Sequence, residues 1–199
     1  MPRLLVFAGP NGSGKSTVTQ RFGIVGKYVN ADEIKKALDC TDMDAAVIAE
    51  RTRETLLNSK SDFSFETVLS TERNLKLIAK AKQNGYYVTC IYVLTSHPDI
   101  NQKRVESRVR SSGHPVPEDK IRERYIRALR LFPVLVPLCD ELWLFDNSVD
   151  KCESNSGLLF KKSGKAWNCF LTTFGVKKCS KAYSTDHIRM ITSDNPCST

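Results

Sequence analysis

The chain contains no apolar run near the length that a bilayer crossing needs, which removes a membrane-spanning helix from the reading. Its first residues, MPRLLVFAGP, are too short and too soon interrupted for a secretory leader, so the expectation is a cytoplasmic protein without membrane attachment. Internal repeats and low-complexity blocks are also missing. The seven cysteines form no CxxC pair, and an odd count in 199 residues makes a poor disulfide framework. Cys90 sits in an apolar run and Cys139 at the end of a helical stretch, so the thiols are read as small buried hydrophobes rather than metal ligands. An NKxD-like guanine motif is lacking. So is a second run of four apolar residues ending in an Asp-Glu pair, and the two absences argue against GTPases and motor ATPases.

What is present is the composition of one ordinary globular domain: hydrophobic residues make up 41% and charged residues 26%. The net charge of +8 is concentrated, with nine Lys/Arg against four Asp/Glu in 101–130 and eight against three in 151–199. Such a stripe suits either nucleic acid or nucleotide phosphates. The chain has a phosphate-binding motif of its own, which favours the second.

Apolar residues 4–8 predict a buried strand, followed by a glycine-rich turn and a helix from about Lys15. Further strands are expected at Tyr28–Asn30, Phe63–Phe65, Tyr86–Leu94 and Leu142–Phe145. Helices are expected over Asp44–Lys60, Glu72–Asn84 (stopped by Gly85), 98–110 (opened by Pro98) and onward from Pro117-Glu118-Asp119. In the last of these, Tyr125, Leu129 and Phe132 would form the apolar face. The alternation predicts a parallel, three-layer α/β domain. The regular alternation should end near residue 150, and residues about 158–167 would add a small hairpin to the sheet edge. The kinase domain as a whole is taken as 1–167, and 168–199 as a mobile tail.

Gly9-Pro10-Asn11-Gly12-Ser13-Gly14-Lys15-Ser16 matches GxxxxGK[ST] between a strand and a helix, the context that the motif requires. Glycines let successive backbone N–H groups turn toward an anion, and the helix N-terminus adds partial positive charge. Lys15 reaches the β- and γ-phosphates and Ser16 holds Mg²⁺. Residues Gly9, Pro10, Asn11, Gly12, Ser13, Gly14, Lys15, Ser16 and Thr17 are therefore assigned to ATP.

A kinase also needs a base, a metal ligand and cations over the transferring group. Asp32, in Tyr-Val-Asn-Ala-Asp-Glu, lies where strand ends form the site rim and suits the base, with helix capping as the competing role. Glu66 ends the third strand beside Thr67. It suits a metal-water or substrate ligand, with an exposed strand-end carboxylate as the alternative. Arginines 104, 108, 110, 122, 124, 127 and 130 flank the loop SerSerGlyHisProValPro, a pattern that fits a phosphate-closing lid over about 104–124, although any single one can be a solvated surface charge. His114 is read as ordering that loop.

Taken in order, GlyProAsnGlySerGlyLysSerThr at 9–17, TyrValAsnAlaAspGluIle at 28–34, PheGluThr at 65–67, ArgValGluSerArgValArgSerSerGlyHisProValPro at 104–117, IleArgGluArgTyr at 121–125 and PheAspAsnSer at 145–148 resemble the zeta toxin family of P-loop kinases, over roughly residues 3–167. The resemblance implies the three-layer α/β/α fold of P-loop hydrolases and kinases on a mainly parallel five-stranded sheet, ATP and Mg²⁺ use, Asp32 as general base, Lys15 and Ser16 on phosphate and metal, and Glu66 and Thr67 on substrate, with Glu66 also counted toward the metal. It implies lid arginines, for which Arg108, Arg110 and Arg124 are the candidates. It further implies a small-molecule acceptor, UDP-N-acetylglucosamine at the sugar 3′-hydroxyl, and a small helical antitoxin as partner. Kept beside this reading are kinases acting on a nucleic-acid end or an antibiotic hydroxyl, and a nucleotide-dependent switch with feeble catalysis. The chain leaves little room between Asp32 and Asp44 for a substrate-binding insertion.

Overall fold

The structure, a computed structural model, describes residues 1–110, 116–148, 157–164 and 166–169. The expectations for His114 and for the tail beyond 169 lie outside the described residues. In chain order the elements are β1 (Arg3–Ala8), α1 (Lys15–Phe22), β2 (Lys27–Val29), α2 (Ala31–Leu38), α3 (Asp42–Asn58), β3 (Phe63–Thr67), α4 (Glu72–Gln83), β4 (Tyr87–Leu94), α5 (Pro98–Arg110), α6 (Glu118–Leu135), a 3-10 turn (Val136–Leu138), β5 (Glu141–Asp146), β6 (Gly157–Ser163) and β7 (Ala166–Cys169).

One sheet runs β2-β3-β1-β4-β5-β6-β7. Its first five strands are parallel, and β6 and β7 join antiparallel at the β5 edge as the expected hairpin. Side chains alternate between sheet faces along each strand, and β1 divides its residues accordingly. Leu4, Val6 and Ala8 enter the larger core with Phe63, Phe65, Val88, Cys90 and Leu142, covered by Ala49, Leu57, Leu75, Ile78, Ala81, Phe132 and Leu135 of α3, α4 and α6. Leu5 and Phe7 enter a smaller core with Ile91, Val93 and Phe145, covered by Val18 of α1. Burial on both faces is why these strands read as continuous apolar runs.

Local signals set the helix ends. Thr41 caps α3 by accepting from Asp44 N, so that helix begins two residues earlier than expected. The α6 stripe is Ile121, Tyr125, Ala128, Phe132 and Leu135, with Leu129 only half-buried. Cys90 and Cys139 are buried and free, as expected of inert thiols. Among the described residues no helix is long and apolar enough to cross a membrane.

Candidate active site

The C-terminal ends of the parallel strands lie in register, with Ala8 beside Thr67 and Leu94 beside Asp146. Each strand therefore delivers its following loop to one rim, where α/β folds bind ligands. β1 delivers Gly9–Gly14 and β3 ends in Glu66 and Thr67; Thr95 follows β4 and Asn147 follows β5. The β1 loop runs into the N-terminus of α1 through Gly14, whose φ of 94° is left-handed.

Two side-chain amides grip the outside of this loop. Asn101 of α5 is fully buried and donates from Nδ2 to the Asn11 carbonyl at 2.6 Å. Its Oδ1 accepts from the Thr95 hydroxyl. Asn147 donates from Nδ2 to the Ser13 carbonyl at 2.8 Å, and its own carbonyl accepts from Arg104 Nη1 at 2.7 Å. Gly9 N donates to the Thr67 carbonyl and Ser13 N to the Pro10 carbonyl, each at 3.2 Å, so these bonds and the two amides fix the path of the loop, the kind of turn in which successive N–H groups form an anion-binding hollow. The fit is close: a Cβ on Gly12, at φ +74°, would stand 2.4 Å from the Asn101 carbonyl oxygen.

Inside the rim, Lys15 Nζ donates to the Gly9 and Pro10 carbonyls at 2.8 and 3.0 Å. Burial lowers the Lys15 pKa to about 8; the Glu66 carboxylate opposes this, Arg108 adds to it, and Asp32 opposes it. Glu66, Arg108 and Asp32 thus all act on the Lys15 ammonium. Ser16 Oγ donates to Glu66 Oε2 at 3.3 Å, and Thr19 Oγ1 to Glu66 Oε1 at 2.8 Å. Tyr28 stands nearby, its hydroxyl accepting from Asn30 Nδ2 at 3.0 Å. Burial raises the pKa of this hydroxyl; the Asn30 hydrogen bond opposes the rise and the Glu66 charge adds to it.

The sequence pattern of the zeta toxin family matches residues 1–135. The chain belongs to that family. Like other P-loop kinases, it carries its glycine-rich loop on the central strand of a parallel sheet. It is 30% identical over 129 residues to an uncharacterized protein of Haemophilus influenzae strain Rd, covering 62% of this chain and 92% of that one. A solved chain from the PezAT toxin-antitoxin system of Streptococcus pneumoniae superposes with a TM-score of 0.58 at 14% identity, over 96% of this chain and 83% of that one. A chain from the AvrRxo1-ORF1:AvrRxo1-ORF2 complex gives 0.65 at 15% identity, over 89% of this chain. The present chain spans only 63% of that partner's length. At such identities the likeness is one of fold.

The zeta toxin-family site brings some expected residues together and separates others. Asp32 lies in the first turn of α2 rather than at the end of β2, which stops at Val29. The capping role falls to Asn30, whose Oδ1 accepts from Asp32 N at 2.9 Å. The exposed Asp32 carboxylate is thereby left to the rim. Thr67 is buried, and its hydroxyl accepts from Leu69 N at 2.9 Å and Asn74 Nδ2 at 2.8 Å, shaping the turn after β3. Arg108 is exposed on α5 with its charge felt at Lys15. Arg110, two residues on, lines a separate groove with Val105, Val109, Val116 and Ile121. Arg124 is half-buried beside Tyr125, whose hydroxyl reaches the Thr95 carbonyl at 2.6 Å. Thr17 is exposed on α1.

Sequence reasoning missed Thr19, Thr95, Asn101 and Asn147. Thr95 and Asn147 carried a usable signal, since each is a polar residue next after a strand end in a parallel sheet. Thr19 and Asn101 had none beyond helix periodicity.

The donor set also tests the implied Mg²⁺. Ser16 Oγ and Glu66 Oε2 are hard oxygen donors side by side, and Mg²⁺ binds through one or two protein oxygens together with phosphate and water. No cluster of three or more His, Cys, Asp or Glu exists among the described residues. The residues fit a metal shared with phosphate and exclude an all-protein cage there.

Proposed function

We propose that the protein transfers the γ-phosphoryl group of ATP to a hydroxyl of a small molecule, with UDP-N-acetylglucosamine as the specific acceptor. The observation that carries this is the geometry of the rim, where Lys15 Nζ rests on the Gly9 and Pro10 carbonyls and Ser16 meets Glu66 at 3.3 Å, beside a loop held from outside by Asn101 and Asn147. Phosphoryl transfer asks a protein mainly for positioning and charge, and these residues supply both.

The nucleotide's β- and γ-phosphates lie in the Gly9–Thr17 loop at the α1 N-terminus. Lys15 leaves the Gly9 and Pro10 carbonyls to hold phosphate oxygens. Ser16 and Glu66 would hold Mg²⁺, which would supply positive charge to the phosphates. Arg108 covers the transferring group, and Arg124 and Arg110 are the further lid cations, of which Arg110 has to turn inward from its groove. Asp32 accepts the acceptor hydroxyl's proton, and Thr67 holds the turn that presents Glu66 to the substrate. Residues 1–167 act as the kinase domain, and a small antitoxin protein is the partner. The toxin-antitoxin system named for one structural relative and the two-component complex named for the other support that partner.

The test is to incubate the protein with ATP, Mg²⁺ and a panel of alcohols including UDP-N-acetylglucosamine, and to follow added phosphate by mass spectrometry. The expected product is a phosphorylated sugar nucleotide that disappears with Lys15→Ala. ATP consumption without it would reject this acceptor, and no consumption would reject the kinase reading. Asp32→Asn is expected to keep ATP binding and lower turnover about 10²–10⁴-fold, the usual worth of a general base. Full turnover in that variant removes Asp32 from the role.

A further inference from the structure

We infer that Thr19 is a positioning residue that decides which oxygen of Glu66 is presented to the metal–nucleotide site; this rests on the reading of Glu66 as the carboxylate of that site. Thr19 lies one helical turn beyond Lys15 on α1 and is only 8% exposed. On β3, Phe63 and Phe65 enter the larger core, so Ser64 and Glu66 face the other side, where α1 packs. That parity brings the Glu66 carboxylate against the α1 hydroxyls.

The Thr19 hydroxyl has two acceptors in reach, the Lys15 carbonyl at 3.1 Å and Glu66 Oε1 at 2.8 Å, and one proton to give. The shorter contact is to the ionised group, where a hydrogen bond is the stronger kind. Oε1 is therefore engaged. Oε2 has the longer 3.3 Å contact with Ser16, which a cation replaces at little loss. Tyr28 of β2 is close enough for its hydroxyl to interact with the Glu66 carboxylate as well. Without the Thr19 hydroxyl, Oε1 loses its 2.8 Å donor and the carboxylate is free to turn toward the Lys15 ammonium.

The experiment measures calorimetrically the affinity for a non-hydrolysable ATP analogue with Mg²⁺ and with EDTA; the ratio is the metal-dependent gain. In Thr19→Val, close in shape and lacking the hydroxyl, that gain is expected to fall roughly 10- to 100-fold, as for other outer-shell partners of metal ligands. The EDTA affinity should stay near wild type, and Thr19→Ser should retain the gain. Thr19→Ala serves if the valine variant does not fold. A full gain in the valine or alanine variant overturns the inference, as does an equal loss in the serine variant, which would point to packing. Glu66→Gln separates the two readings. If it keeps the gain, the metal role of Glu66 fails. If it loses the gain while Thr19→Val does not, only the positioning role fails.

Discussion

Lys15 is held well away from its free-state chemistry. Burial holds its pKa at about 8 against 10.5, although Glu66 and Asp32 favour the charge. Between these values the unfolded chain binds more protons at this group than the folded one. Its contribution to stability therefore rises with pH across that window, and below pH 8 the full cost of burying the cation is present. Phosphate binding reverses the balance by favouring the ammonium. Nucleotide affinity should thus fall as pH rises through 8, and binding at pH 8.5 should take up protons. Calorimetry in two buffers of different ionisation heat measures that uptake, and Lys15→Met should abolish it. At this scale the sequence was explicit for Lys15 and Ser16, because the motif fixes both type and spacing. For Asp32 it gave the residue and not the place, because strand and cap cannot be told apart over three residues without knowing that Asn30 closes the helix.

The loop after β1 and helix α5 work as one element. Asn101 and Asn147 clamp the loop from behind, and Arg104 ties α5 to the end of β5. Gly12 is the position where the clamp leaves no space. Gly12→Ala meets both a left-handed φ and the Asn101 carbonyl oxygen at 2.4 Å, whereas Gly23 has nearly the same φ, 73°, and nothing within 4 Å. Gly23→Ala should cost about 1–3 kcal/mol for the backbone conformation alone, since φ 73° with ψ −175° is a region that essentially only glycine adopts. Gly12→Ala should cost more than that and remove nucleotide binding, as urea denaturation and analogue titration will show. Equal losses in the two variants would mean that the Asn101 contact yields. Helix periodicity did place Arg104 and Arg108 on α5, but not their partners. The separation of Arg110 from Arg108 follows from helix geometry once the α5–α6 groove is known.

For the whole molecule, the hairpin β6–β7 extends the parallel sheet, and Lys162 fastens it. Its side chain is buried, and Nζ donates to the carbonyls of Val136 and Cys139, at 2.8 and 2.5 Å, where α6 and its 3-10 turn end. The Val136 carbonyl also accepts from Cys139 N at 3.4 Å, closing the 3-10 turn, so Lys162 adds a second donor there and satisfies the Cys139 carbonyl at the helix end. Lys162→Met should destabilise the protein by about 1–3 kcal/mol, the cost of leaving buried polar groups unpaired, with no change in nucleotide affinity. Denaturation midpoints and analogue binding test the two halves of that expectation. Nearby, Asp140 accepts from Lys82 at 2.6 and 2.7 Å and from Val88 N at 2.8 Å. Partial burial acts against the charge, but these donors win and hold the carboxyl below its ordinary value. The stability it contributes is present above pH 4 and is lost as the pH falls through its lowered pKa, so Asp140→Asn should blunt acid unfolding.

The sequence alone determined the layered α/β architecture, because strands buried on both faces and helices with one apolar face leave periodic marks in a linear chain. It also determined the phosphate loop, whose chemistry is local: glycines, one lysine and one hydroxyl at fixed spacing. Only the tertiary structure decided which hydroxyl meets Glu66, which amides hold the loop, and which arginine faces Lys15. Those choices depend on strand register and helix facing between residues such as Thr19 and Glu66, or Asn11 and Asn101, that lie far apart in the chain. No local pattern encodes such pairs, since each partner is an ordinary polar residue until the fold brings the other within hydrogen-bonding distance.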